Sequence, residues 1–182
     1  MRQVFAIAFL CSTLFADQRI QKSPVTLVLQ FEGQQSPAAV ASMKQEVIML
    51  LKDAATRVDF RLPDERGILD EPGGLVVVKF RGNCRMSNTN SLYDERGPLA
   101  FTHTADGQVL PFSEVECDRV TRSVRSALFG GDHAHADELL GRALGRVVAH
   151  ELYHILGNTA GHASNGFAKK SLSGAQLIQD TK

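Results

Sequence analysis

"ADELLGRALGRVVAHELYHILG", residues 136 to 157, is the longest periodic segment of the chain, and the rest is read outward from it. Leu140, Leu144, Val147, Val148 and Leu152 recur at helical spacing and mark one apolar side, as a helix packed on a core requires. The helix then decides what its polar residues can do. His150 and His154 stand four positions apart, so they project from one face a turn apart, and two imidazoles placed in this way can share one cation. Glu151 is turned by about 100° from His150, close enough to reach a water on that cation without being a ligand. This is the arrangement that metal-assisted hydrolysis needs: the cation acidifies a water and polarises a carbonyl, and the carboxylate takes the proton. A helix that merely packs its histidines or exposes them to solvent is the alternative.

Upstream, strands and one further helix are legible. "PVTLVLQFE" at 24 to 32 alternates and is rich in branched residues, which predicts a strand. In "SPAAVASMKQEVIMLLKDAA", Ser36 is placed to cap a helix and Pro37 to begin it, and Val40, Met43, Val47, Leu50, Leu51 and Ala54 follow at helical spacing. "RVDFRL" predicts a second strand, ended by the turn-rich "PDERGILDEPGG". "GLVVVKFRG" predicts a third, whose valines imply burial on both faces. The stretch from 85 to 97 is polar and without periodicity and reads as a loop. "PLAFTHTA" and "QVLPFSEVEC" predict a hairpin, because Asp106 and Gly107 between them suit a tight two-residue turn. The expected fold is α+β: a twisted mixed sheet of about five strands, a backing helix, and the long active-site helix.

Composition sets the outer bounds. A chain of 182 residues with 43% hydrophobic content is one domain with a real core. Twenty basic residues balance twenty acidic ones, so nothing argues for a nucleic-acid partner or for electrostatic attachment to a membrane. The opening "MRQVFAIAFLCSTLFADQ" has an early cation, an apolar run and then Ala16 before polar sequence, which predicts a signal peptide over 1–16, a domain over 17–182, and a secreted or periplasmic location. The apolar run is short of the roughly 20 residues that span a bilayer. Without Cys11, an exported chain keeps Cys84 and Cys117, which predicts one disulfide; two free buried thiols are the alternative.

"HELYHILG" at 150 to 157 resembles the metzincin group of zinc peptidases, whose signature is H-E-x-x-H-x-x-G-x-x-H. The resemblance covers only these residues in motif, and most of 24 to 166 in the order of strands and helices. It implies a zinc ion on His150 and His154, Glu151 as general base, a helix ended at Gly157 by a backbone conformation that suits glycine, and an edge strand in "GPLAFTHTADGQVLPF" that pairs with substrate backbone. Two features depart from the group. Position 160, where the third ligand would fall, is Ala160, and the next histidine is His162. No methionine follows Met86, so the group's Met-containing turn is missing or replaced, with "SLSG" at 171 to 174 as the candidate replacement. No glutamate follows Glu151, Asp180 sits near the C-terminus, and Asn158 is a poor zinc ligand, so His162 is the expected third ligand, reached over a longer turn.

Three ligands leave one position open, which favours catalysis over a structural role. The expectation is therefore a monomeric zinc metalloendopeptidase acting on a peptide or protein substrate. A secreted binding module with a structural or vestigial zinc site is the alternative. Weaker candidates are His133 and His135 as an accessory metal pair, His103 facing the cleft, Tyr153 near the oxyanion, and Lys169 and Lys170 approaching the substrate.

Overall fold

The computed structural model of the chain describes residues 24–54, 56–68, 73–86, 97–128 and 135–180. The leader read over 1–16, His133 and most of the polar stretch 85–97 lie outside them. The strands β1 (Val25–Phe31), β2 (Val58–Arg61), β3 (Gly74–Arg81), β4 (Ala100–Ala105) and β5 (Gln108–Glu116) form one sheet in the order β2-β1-β3-β5-β4. β1, β2, β3 and β5 are parallel, and β4 runs antiparallel to β5 along an edge. The expected hairpin is present: Asp106 and Gly107 have φ of 51° and 76°, both positive, as a two-residue type I′ turn demands. The mixed five-stranded sheet and its helices make the fold α+β, as the periodicities predict.

Helix α1 (Pro37–Leu51) starts where the sequence places it, with the Ser36 hydroxyl accepting from the Ala39 amide at 3.4 Å. Its buried residues Ala39, Met43, Val47 and Leu51 lie in one core with Leu27 and Leu29 of β1 and Val76, Val78 and Phe80 of β3. Burial in β3 alternates, with Val77 only half-buried between Val76 and Val78. The valine run expected to be buried on both faces is thus fully buried on one. On the other face Lys79 pairs with Glu32 at 2.7 Å and Arg81 with Glu114 at 3.1 Å.

The long helix, α3 (Ala136–Gly157), has the bounds of the periodic segment. It packs along α1 in the same direction, because Gly141 meets Ala39 and Ser42 while Gly145, one turn on, meets Met43 and Glu46. A Cβ on Gly141 would collide with the Ala39 carbonyl oxygen, and one on Gly145 would lie 2.6 Å from the Glu46 Cβ. The two glycines therefore let the helix backbones approach. Beside them Arg146 and Glu46 form a buried ion pair, Nε to Oε1 2.8 Å, with each residue 5% exposed. The other guanidinium nitrogens donate to the carbonyls of Gln176 and, at 2.6 Å, Gln179. These belong to the short C-terminal helix α4 (Gly174–Ile178) and its end, so one arginine ties three helices together.

Two helices escape the sequence reading, which expects two main ones. One is α2 (Cys117–Ala127), which follows β5 without a break and buries Cys117, Val120, Thr121 and Val124. Its first residue is disulfide-bonded to Cys84, with the Cα atoms 5.0 Å apart. Closing a loop over a separation of 33 residues stabilises the fold by about 3 to 4 kcal/mol in the chain-entropy account. The other is α4, where Ser173 and Gln176 form a capping box. The "SLSG" segment thus opens a helix. Among the described residues no helix is long and apolar enough to cross a membrane.

Candidate metal centre

His150 and His154 emerge from the last two turns of α3, and the chain then turns back to bring His162 beside them. The turn is made at Asn158, with φ 43° and ψ 50°, whose amide closes the helix on the His154 and Ile155 carbonyls. Gly157, expected to adopt this left-handed conformation, is instead the last helical residue and has no positive φ. Asparagine is the side chain other than glycine that adopts the left-handed region most readily, because its short amide bonds locally. Here the Asn158 Oδ1 accepts from the Val109 amide at 3.4 Å and anchors the helix end to the start of β5.

The three histidines each offer a nitrogen within 4.8 Å of the others. Ring centroids are 4.8 Å apart for His150 and His154, 5.2 Å for His150 and His162, and 4.8 Å for His154 and His162. Backbone carbonyls set the tautomers of the first two. His150 Nδ1 lies 2.8 Å from the Phe167 carbonyl and His154 Nδ1 lies 2.7 Å from the Thr159 carbonyl. A carbonyl only accepts, so both Nδ1 atoms carry hydrogen, and in the neutral rings both Nε2 atoms are bare lone pairs. Those Nε2 atoms face each other at 3.1 Å. Two acceptors at that distance repel unless something positive joins them. Imidazole nitrogens held about 2.0 to 2.1 Å from a tetrahedral cation stand about 3.4 Å apart, so the donor set fits a metal ion. Carbonyl support of the far ring nitrogen is also the usual way that ligating histidines are oriented.

Burial lowers the His150 pKa, against the Phe167 carbonyl and aided by the nearby His154. The pKa of His162, the exposed member, is lowered by desolvation and then by the like charges of His154, His150 and Lys170. Both shifts favour the neutral imidazole that a cation requires.

Glu151 lies 4% exposed next to this cluster. Burial raises its pKa, while a hydrogen bond from Thr102 and the charges of His154 and His162 pull the other way. The Thr102 hydroxyl lies 2.7 Å from Glu151 Oε2 and 2.9 Å from the Ser113 hydroxyl. Thr102 therefore ties the carboxylate to the edge strand, a role that sequence reasoning missed. The signal was the alternation of β4: if Phe101 and His103 face one side, Thr102 faces the other. A cleft of about 340 Å³ opens over the site, lined by Ala100, Thr102 and Thr104 of β4, the three histidines, Glu151 and Lys170 among others.

The remaining candidates divide. His103 does not face the cleft; its Nε2 is 3.0 Å from Glu114 Oε1, and its ring lies between Phe101 and Phe112 on the other side of the sheet. His135 precedes α3 and pairs with Glu138 at 3.2 Å, both exposed; its partner in the accessory-pair reading, His133, lies outside the described residues. Tyr153 packs edge-on to the His154 ring, with centroids 5.6 Å apart. Asp180 pairs with Arg142 at 2.8 Å, away from the histidines. Lys170 does line the cleft.

Comparison of the chain with protein-family models, with curated proteins and with solved structures gave no match.

Proposed function

We propose that the chain is a secreted or periplasmic zinc metalloendopeptidase, with His150, His154 and His162 holding the ion and Glu151 serving as general base. The observation that carries this reading is the pair of bare Nε2 atoms at 3.1 Å, with His162 beside them and a buried carboxylate within reach. An all-imidazole set with one vertex left over is the donor chemistry of catalytic zinc. The resemblance of "HELYHILG" to metzincins supports the same choice, as does the antiparallel edge strand beside the cleft. A buried disulfide is in keeping with export.

Bound there, the ion would supply Lewis-acid activation of a water and of the substrate carbonyl. The protein supplies the rest. Glu151 accepts the proton from the attacking water and returns it to the leaving amine; its burial raises its proton affinity toward the range that a base needs near neutral pH. Thr102 fixes one carboxylate oxygen, Oε2, which leaves the other as the proton acceptor. The outer edge of β4 has no neighbouring strand among the described residues, so an extended peptide can add to it in register and lie across the cleft.

The test is Glu151→Gln in zinc-loaded protein. Peptide cleavage should fall by about 10² to 10⁴-fold, with zinc content and melting temperature unchanged. If wild-type protein carrying one zinc cleaves nothing in a broad peptide library, the reading of a binding module with a structural zinc replaces this one.

A further inference from the structure

The cleft over the histidines continues into a second cavity of about 200 Å³. The two share Pro98, Ala100, His150, Glu151 and Lys170, so the second cavity opens directly beside the base and one ligand. Its floor is apolar, made by Leu99, Val147, Leu172 and the fully buried Leu177. Its cations are Lys169, half-buried, and Lys170, exposed. Neither ammonium has an ion-pair partner among the described residues. Glu151 is the sole carboxylate on the wall of either cavity, and its Oε2 is bound to Thr102. The cavity therefore offers an apolar lining and two ammonium groups against a single buried carboxylate that Thr102 already holds.

Resting on the metallopeptidase reading, we propose that this cavity selects a substrate side chain with an aliphatic stem and a terminal carboxylate, glutamate above all, at a position flanking the scissile bond. The leucines and Val147 cover the stem, and Lys170 with Lys169 meets the carboxylate. An uncharged aliphatic side chain gains the floor but leaves both ammonium groups unanswered. A lysine side chain meets like charge and is rejected. Selection thus comes from charge as well as from fit.

The test uses binding first, so that it does not depend on turnover. Zinc-loaded protein is titrated by calorimetry with adipic monohydroxamate and with its terminal primary amide, which share a metal-binding group and an arm and differ in the terminal charge. The acid should bind about five- to tenfold more tightly than the amide, the preference should disappear in Lys170→Met and weaken in Lys169→Met, and it should shrink with added salt. In matched peptides the kcat/KM order should be glutamate, then glutamine, then lysine, and Lys170→Glu should reverse it. Equal binding of the acid and the amide overturns the proposal alone. Failure of both hydroxamates to bind protein of full zinc content overturns it together with the reading beneath it.

Discussion

The two halves of α3 are made for different purposes. Through Gly141, Gly145 and Arg146 the first half is pressed against α1 and locked by a buried ion pair. The second half turns His150, Glu151 and His154 toward the cleft. In the first half the neighbours are helices, and small residues set the distance. In the second half the neighbours are a strand edge and an irregular turn, and single polar contacts set the geometry: Thr102 on Glu151, Phe167 on His150, Thr159 on His154. The lesson is that a rigid helix aims two imidazoles, while the chain that follows it must supply both the third imidazole and the carbonyls that orient the first two.

Damage to the packed half should be the more severe. Arg146→Met takes the guanidinium away from the buried Glu46 carboxylate and should cost about 3 to 5 kcal/mol, read from denaturant unfolding, while Glu46→Leu combined with Arg146→Met should recover most of that loss. Gly145→Val drives a branched side chain into Glu46 and the Met43 carbonyl and should cost about 1 to 3 kcal/mol or more, with a lower melting temperature whether metal is present or not. In the site half the effects should fall on function instead. Thr102→Val removes the hydroxyl that holds Glu151; cleavage should drop about tenfold, in line with a lost hydrogen bond to a charged group of about 1.5 kcal/mol, and metal content should not change. The smallest effect distinguishes the two candidate helix ends: Asn158→Ala should cost about 1 kcal/mol because it keeps the Cβ that the left-handed conformation disfavours and loses the side-chain amide that offsets it, whereas Asn158→Gly, which has no Cβ, should be nearly neutral. Equal melting temperatures for these two variants would show that the turn does not need φ near 43°.

Long periodic elements were legible because one repeated force shapes them. The apolar side of 136–157, the Ser36 cap with Pro37, and the Asp106-Gly107 turn each follow from rules that act within a few residues. α2 was not, because it has only the pair Val120 and Val124, with Cys117 and Thr121, inside a charged and β-branched run. The direction of the site's supports was also hidden. Nothing local announces that the carbonyls of Phe167 and Thr159 will face His150 and His154, since a carbonyl has no residue identity. The choice of Asn158 over Gly157 for the left-handed residue turned on one position, and helix ends are where sequence rules are least exact. His162, by contrast, was a candidate because few other possible ligands follow Glu151, and the geometry brings its ring to the other two.

Metal stoichiometry and affinity in wild-type protein and His162→Ala, measured side by side by competition with a chromophoric chelator and by elemental analysis, bear most directly on the central claim. Three imidazoles converging on one cation predict one ion per wild-type chain and an affinity at least about 100-fold weaker in the variant, which loses a ligand outright. The same stoichiometry and affinity in both proteins would mean that the third ring takes no part, and would contradict the account.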